Sequence, residues 1–337
     1  MAKFSTLTQL AELLSVSPST VSRALNNHPR ISQKTKDLVK SKAEEVGYTP
    51  NIYSNVLRTK RTYLIGLIVP DITLHFYSRV VKAIEEQVWV SNYSIVLVNC
   101  DERVEKERKA IDHFISLRVD GVMAALTTET KKLDHYEKLV NQGIPLVFYD
   151  RVANFLPAPK VVMNDYQASY DATSHLVKTG CRTIAHITAS KNLNNSNNRL
   201  YGYLDALKDH GMKIIDDLIF YYEFDHSLIR DFLSSALHRF PELDGIFVFN
   251  DYAAYTTVQF LFEKGKLIPE EISVIGFSGE PISTYMTPKL STAEDIAEQM
   301  GIETARKLQK IIETGENSEE KIILKQKLIL RETTRNP

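Results

Sequence analysis

Residues 6–26 read TLTQLAELLSVSPSTVSRALN, and this stretch predicts two short helices joined by a tight turn. Thr6 and Gln9 have the spacing of a capping box, in which each side chain satisfies a backbone N–H of the other residue. Ser17 before Pro18 indicates the start of the second helix, because serine is a preferred N-cap and proline fits the first helical position. Two short helices separated in this way have the layout of a helix-turn-helix.

A third helix is expected to follow this pair. Ser32 is placed to cap it, and Gly47 stands where a helix C-terminus commonly takes a left-handed residue. Leu38, Val39 and Ala43 are predicted to face inward. The first part of the chain is therefore expected to fold as a small domain of three helices.

Charge divides the chain into two parts. The net charge is −1 over 337 residues, but residues 1–61 hold ten Lys and Arg residues against four acidic ones, so this part is +6 and the rest is −7. A basic module on an acidic body indicates a polyanionic partner for the first part alone. Taken by itself, the charge fits a solvated helix face equally well.

The composition is that of an ordinary globular protein, and the length suffices for two or three domains. Cys100 and Cys181 are expected to be buried, reduced thiols of a cytoplasmic protein. The sequence shows no signal peptide and no run of about 18 apolar residues, so we expect neither secretion nor a membrane partner.

From residue 62 onward, apolar runs alternate with amphipathic stretches. Near-continuous apolar strands separated by helices indicate α/β architecture with a parallel sheet covered on both faces. The rhythm restarts with a helix at 168–178, so we expect two doubly wound halves with a ligand cleft at the carboxyl ends of their strands. The predicted strands are 64–69, 95–98, 121–125, 146–149, 184–187, 245–249, 273–275 and a last one near Ile322–Leu330.

Several motifs follow one another in a fixed order along the whole chain. They are VSPSTVSRALN (16–26), GYTPN (47–51), IGLIVPDI (65–72), SLRVDGVM (116–123), GIPLVFYDR (143–151), RLYGYLDAL (199–207), FVFNDYAA (247–254) and ISVIGFSGEP (272–281). In this order they resemble the lactose/galactose-repressor (LacI/GalR) family of bacterial transcription regulators. An ordered set of motifs is far more specific than one short pattern.

The resemblance implies an all-α helix-turn-helix headpiece, a hinge, and a core like that of periplasmic sugar-binding proteins. It implies a homodimer on a palindromic DNA operator, with a small-molecule effector in the core cleft and no cofactor. The implied function is a ligand-responsive transcriptional regulator, most simply a repressor. The implied boundaries are 1–47 for the headpiece, 48–61 for the hinge, 62–162 with 292–325 for one core subdomain, and 163–291 with 326–337 for the other.

The second helix is expected to lie in the major groove of DNA. Arg23 has the strongest base-reading chemistry there, because arginine bonds both acceptors of guanine. The base-reading positions that the resemblance implies are Pro18, Ser19 and Arg23, and the expected phosphate contacts are Ser17, Thr20 and Ser22.

The hinge is implied to add further DNA contacts. Asn51 closes the GYTPN motif and is counted among them. Leu57 stands at the family's minor-groove wedge position, where an apolar side chain prises apart a base step. Arg58 is expected to contact phosphate, because Asn55 replaces a basic residue that is common in the family. For Leu57, packing against the core is the alternative.

The resemblance also implies an effector site in the core. Its chemistry suits a sugar, because a carboxylate accepts hydroxyl hydrogens, Arg and Asn donate, and an aromatic ring covers the apolar sugar face. Structural alternatives are a loop cap for Asp150, an ion pair for Arg199 and core packing for Phe224. The implied positions are His75, Phe76, Tyr77, Asp150, Arg199, Phe224, Asn250, Asp251 and Ser278.

Ser278 and Gly279 depart from the family pattern, which often has an acidic pair after VIGF. We therefore expect one ligand-contacting carboxylate to be missing. Because fewer carboxylates repel an anion less, a sugar acid or phosphosugar is a hypothesis for the effector beside a neutral sugar.

Two other classes of function were weighed against a regulator. An enzyme has no support, because the sequence has no GxGxxG or GxxxxGK[ST] nucleotide pattern and no HExxH or CxxC metal motif. A cytosolic carbohydrate-binding protein without specific operator recognition is the stronger alternative, because the hinge departs from the family pattern. Preference for a defined palindrome separates the regulator from this alternative.

Overall fold

A computed structural model of the chain describes residues 6–48, 61–316 and 318–336. The chain divides into two compact units, with the boundary between Thr62 and Tyr63. The predicted hinge contacts Asn51, Leu57 and Arg58 lie outside the described residues.

The first unit holds three helices, and serine or threonine caps each of them. Thr6 and Gln9 form the predicted capping box. Ser17 caps the second helix and Ser32 the third, in each case by accepting a backbone N–H three residues ahead. The helices are α1 (Leu7–Leu13), α2 (Pro18–Leu25) and α3 (Gln33–Glu45).

The core of this unit is small and apolar. Val39 and Ala43 on α3 face it, as predicted, but Leu38 is 58% exposed, so its predicted inward position was wrong. One turn of helix separates Val39 from Ala43, and this spacing turns the neighbouring Leu38 toward solvent. The other buried core residues are Leu10, Ala11, Val21 and Ala24.

The second unit contains two lobes, each built on a parallel sheet. Lobe 1 comes first in the chain and alternates strands with helices, as predicted. Its strands are β1 (Leu64–Val69), β2 (Ser94–Asn99), β3 (Gly121–Ala124), β4 (Leu146–Tyr149) and β5 (Lys160–Met163). Its helices are α4 (His75–Trp89), α5 (Val104–Leu117) and α6 (Asp134–Asn141).

Lobe 2 repeats the alternation with a four-stranded parallel sheet. Its helices are α7 (Asp165–Lys178), α8 (Asn194–Asp209), α9 (His226–Arg239), α10 (Asp251–Glu263) and the short α11 (Ile282–Tyr285). Its strands are β6 (Ile184–Thr188), β7 (Ile219–Tyr221), β8 (Gly245–Val248) and β9 (Ser273–Ile275). The strand order is β7-β6-β8-β9.

The chain then crosses back to lobe 1. The remaining elements are β10 (Thr292–Ala293), α12 (Ala297–Thr314), β11 (Lys321–Leu324) and β12 (Leu328–Ile329). Strand β11 pairs with β5 and completes a six-stranded sheet in the order β11-β5-β4-β3-β1-β2. Strand β12 instead pairs antiparallel with β10, so the single last strand predicted near Ile322–Leu330 is in fact two.

Cys100 and Cys181 are buried free thiols, as predicted. Burial raises the pKa of Cys100 to about 12 and that of Cys181 to about 11, so both thiols are protonated near neutral pH. Within the ranges that the structure describes, no helix is both long enough and apolar enough to span a bilayer.

Candidate functional site

A cleft lies between the two lobes at the carboxyl ends of their strands. The free space inside it, including its open mouth, is about 460 Å³. Lobe 1 contributes Leu74, Phe76, Tyr77, Asp150, Arg151 and Met163. Lobe 2 contributes Asn195, Arg199, Phe224, Phe249, Asn250, Tyr252, Ser278 and Glu280.

Asp150, Arg151 and the Tyr77 ring lie on the lobe 1 side of the cleft. Asp150 directly follows β4 in a left-handed conformation (φ 54°) and accepts a 2.6 Å hydrogen bond from the Tyr77 hydroxyl. The Arg151 guanidinium donates to Glu102 over 2.6 Å. It lies 5.6 Å from the Tyr77 ring centre and 5.2 Å from that of Phe224, which belongs to lobe 2.

Arg199 is the corresponding buried cation of lobe 2. Its Nε donates to Asp165 over 2.8 Å, and its Nη1 donates to the carbonyl of Phe249. The guanidinium also lies over the rings of Phe249 and Phe277, 4.3 and 3.7 Å from their centres. Burial disfavours the charged form of Asp165 more than Arg199 favours it, and so raises the pKa of Asp165 to about 6.

Glu280 lies at the end of the cleft beside the N-terminus of α4. Its Oε1 accepts the backbone N–H of Phe76 over 3.1 Å, and its Oε2 lies 3.1 Å from His75 Nδ1. The Glu280 N–H donates to Asp251 Oδ2 over 2.7 Å, and Thr292 donates to Asp251 Oδ1 over 2.6 Å. Burial raises the pKa of Asp251 to about 8 and that of Glu280 to about 7.

Hydrogen bonds also join the lobes across the cleft. The N–H of Val152 in lobe 1 donates to Asn194 Oδ1 over 2.9 Å, and Asn195 Nδ2 lies 3.4 Å from Asp150 Oδ1. Because both asparagines begin α8 of lobe 2, any change in the angle between the lobes alters these bonds.

The structure brings most of the predicted effector residues together. His75 borders the cleft through Glu280, whereas Asp251 is fully buried and does not line it. Asp251 begins α10, so its carboxylate turns back to hold the Glu280 backbone. The predicted residues that line the cleft are Phe76, Tyr77, Asp150, Arg199, Phe224, Asn250 and Ser278.

Several lining residues were not predicted from the sequence, among them Arg151, Asn195, Tyr252 and Glu280. Arg151 directly follows the predicted Asp150, so the FYDR motif holds the signal for it. Glu280 corrects the expectation that a carboxylate is missing here, because it brings one into the cleft two residues after Ser278. The main premise of the anionic-effector hypothesis therefore fails.

The predicted DNA-contacting residues of α2 lie on its outer side. Pro18, Ser19 and Arg23 are exposed, while Val21 and Ala24 of the same helix point into the core. At the first turn, the hydroxyls of Ser17, Ser19 and Thr20 form a hydrogen-bonded cluster at 2.8 and 2.9 Å, and Ser22 is partly exposed. This outer face of α2 takes no part in the apolar core and carries one guanidinium group, that of Arg23.

A helix-turn-helix unit and a two-lobed cleft of polar and aromatic side chains, carried on one chain, define a class: DNA-binding regulators that respond to a small molecule. Residues 6–51 match the family model of bacterial regulatory proteins of the lacI family. Residues 62–332 match the model of periplasmic binding proteins and the sugar binding domain of the LacI family. The chain belongs to the LacI family and is a transcriptional regulator, not an enzyme.

Individual relatives agree with this assignment. The ribose operon repressor of Halalkalibacterium halodurans is 31% identical over 330 residues, 98% of this chain and 97% of that protein. The Lac repressor dimer bound to operator and an anti-inducer has the same fold, with a TM-score of 0.89 at 23% identity over 99% of this chain and 100% of that one. A LacI-type protein of Alkaliphilus metalliredigens in complex with D-xylulofuranose has a TM-score of 0.72 at 30% identity, covering 81% of this chain and 100% of that one.

Proposed function

We propose that the cleft between the lobes is the effector site of this regulator, and that a sugar or sugar derivative bound there changes its affinity for operator DNA. The observation that carries the proposal is the convergence of complementary groups in one cleft. Asp150 offers carboxylate oxygens, Arg151 and Arg199 offer guanidinium groups, and the rings of Tyr77 and Phe224 offer apolar faces. Hydroxyls and an apolar ring face are the features that such a set binds.

Effector binding would act by shifting the angle between the lobes. A ligand changes an equilibrium only through its different affinities for the two states. The bonds from Asn194 and Asn195 to lobe 1 form at one lobe angle, so a ligand that contacts both lobes favours or opposes that angle. The lobe angle would in turn change the spacing of the hinges in the dimer.

On DNA, α2 would enter the major groove with Arg23 at base edges and with Ser17, Thr20 and Ser22 at phosphates. Asn51, Leu57 and Arg58 would extend the contact from the hinge, at 48–61. The protein would work in the cytoplasm. It would act as a homodimer, because two linked headpieces bind DNA with a high effective concentration. The relatives described above include a repressor dimer on its operator, which supports this arrangement.

Selection of bound sequences from random duplex DNA tests the proposal directly. The full-length protein is used at physiological salt, with and without a mixed pool of sugars and sugar derivatives. Enrichment of a two-fold-symmetric site that changes with the pool is the expected result. Absence of any enriched site in both conditions would contradict operator recognition and favour the carbohydrate-binding alternative.

Two headpiece variants sharpen this experiment. Arg23→Ala should cost about 1–3 kcal/mol of discrimination at one base position, with little change in binding to random DNA. Lys34→Ala removes an exposed cation of α3 that is not among the predicted base contacts, so the selected sequence should stay the same. Equal relaxation of the site by both variants would contradict the role of Arg23.

A further inference from the structure

We infer that Glu280 determines the class of effector: it accepts hydrogen bonds from ligand hydroxyls at the α4 end of the cleft and excludes ligands with an anionic group there. This inference rests on the proposed effector site and narrows its ligand to neutral, hydroxyl-rich sugars. It opposes the hypothesis of an anionic effector, which was raised beside that of a neutral sugar and assumed a missing carboxylate.

The acceptor capacity of Glu280 is mostly unused. The residue is 5% exposed, and within the described ranges its Oε2 accepts no hydrogen bond of regular geometry, although His75 Nδ1 lies 3.1 Å from it. A carboxylate accepts about four hydrogen bonds, and the bond from Phe76 uses one. Because a buried acceptor without a donor is costly, a ligand hydroxyl that reaches it gains affinity.

The chain fixes where this carboxylate is presented. Asp251 holds the Glu280 N–H, and the two residues before Glu280 have left-handed backbones, with φ of 99° at Ser278 and 62° at Gly279. A side chain at Gly279 would place its Cβ 2.4 Å from the backbone nitrogen of Asp295. This tight turn therefore leaves Glu280 little freedom to withdraw from the cleft.

Both guanidinium groups of the cleft are already paired with carboxylates. Arg151 donates to Glu102 over 2.6 Å, and Arg199 donates to Asp165 over 2.8 Å. A ligand anion would have to compete with these two carboxylates for a guanidinium partner. It would also meet the Asp150 carboxylate, which lines the same cleft.

The groups around Glu280 itself are matched in the same way. Arg79 donates to Asp295 and also pairs with Glu298, while His75 faces Glu280. The backbone N–H groups at the start of a helix attract anions. At the start of α4, the Phe76 N–H already donates to Glu280. A carboxylate or phosphate on the ligand would therefore meet a like charge at the place where it would otherwise bind.

Three variants of the full-length protein test this inference. Glu280→Gln keeps the size of the side chain and removes its charge, and Glu280→Asp keeps the charge. Glu263→Gln makes the same chemical change at an exposed carboxylate of α10, outside the cleft. Titration calorimetry measures binding of D-glucose, D-galactose, D-ribose and D-xylulose, each beside its phosphate ester and the acid made by oxidising its terminal hydroxymethyl group.

We expect at least one neutral sugar to bind the wild type about tenfold or more tightly than its acid and phosphate partners. Glu280→Gln should weaken binding of the neutral sugar about tenfold, so that the affinities of its acid and phosphate ester come within about threefold of its own. Glu280→Asp and Glu263→Gln should keep the preference for the neutral sugar. Equal or tighter binding of an anionic partner to the wild type would overturn this inference alone. If no compound of any series binds, the sugar-effector proposal fails and this inference fails with it.

Discussion

The backbone N–H of Glu280 donates to Asp251 Oδ2 over 2.7 Å, so two neighbouring carboxylates of lobe 2 have different tasks. Glu280 lines the cleft, and Asp251 lies behind it, also accepting a hydrogen bond from Thr292. Asp251 thus positions a lining residue and does not itself line the cleft.

Asp251→Asn is expected to weaken effector binding about tenfold, or about 1.4 kcal/mol. When the amide oxygen holds the Glu280 N–H, the NH2 group faces the Thr292 hydroxyl, which now has to turn round and accept, so the support of Glu280 is disturbed. Calorimetry with the neutral sugar that binds the wild type measures the loss. Asp225→Asn is the matched control, because Asp225 caps α9 outside the cleft and asparagine is an equally good cap.

Arg199→Met is expected to lower the free energy of unfolding of the second unit by about 3–5 kcal/mol, because it leaves the buried Asp165 without its partner. Arg230→Met breaks an exposed pair with Glu263 and should cost at most about 1 kcal/mol. Urea unfolding followed by circular dichroism compares the two variants. Equal losses of unfolding free energy in the two variants would show that the buried Arg199–Asp165 pair contributes no more to stability than the exposed Arg230–Glu263 pair.

Ser17 is expected to serve two purposes that one pair of variants separates. Ser17→Ala removes the hydroxyl that accepts the Thr20 N–H, and loss of such a cap costs about 0.5–2 kcal/mol. Ser17→Asp keeps a capping oxygen but sets a negative charge against phosphate, so it should retain thermal stability and lose operator binding. If Ser17→Asp binds the operator as well as the wild type, Ser17 lies away from the DNA backbone.

The discrimination between a neutral sugar and its acid partner is expected to narrow between pH 8 and pH 6. Burial raises the pKa of Glu280 to about 7, so the carboxylate gains a proton in this interval and repels an anion less. The other ionisable groups that face it are His75, Arg79, Asp251, Tyr252 and Asp295.

A control separates the effect of Glu280 from that of the other ionisable groups around it. The Glu280→Gln variant keeps His75, and the difference between its pH profile and that of the wild type isolates the carboxylate. Titrations at three pH values across the interval suffice. Identical profiles for the two proteins would assign the pH dependence to another group.

The sequence predicted the architecture well where an element has a long apolar run or a capping residue at its start. The capped helices of the first unit and the apolar strand β1 have such signals, and the structure confirms them. Strand β5 was missed because it follows β4 with no helix between them, which breaks the alternation of strands and helices. The edge strand β7, which has three residues, was missed as well. Leu38 was misplaced because one residue of helical rotation decides which side of α3 is buried.

The residues of the cleft were predicted less completely, because the direction of the backbone after each strand decides which side chains line it. Asp150 and Arg151 follow β4 together, and the left-handed turn at Asp150 brings both into the cleft. Glu280 enters it through a turn of two left-handed residues, Ser278 and Gly279, that no hydrophobic pattern announces. The motif around these residues was visible, but the direction of their side chains was not.

Glu280 belongs to lobe 2, yet its carboxylate is bonded to the first turn of α4 in lobe 1. The same oxygen atoms are thus available to a ligand and to the seam between the lobes. A substitution at this position that admits a new effector would, in the same step, change how firmly the empty cleft is closed. If the cleft is the effector site, as proposed, descendants of this regulator could not change their effector at position 280 without also changing the seam between the lobes, and with it the level of gene expression in the absence of effector.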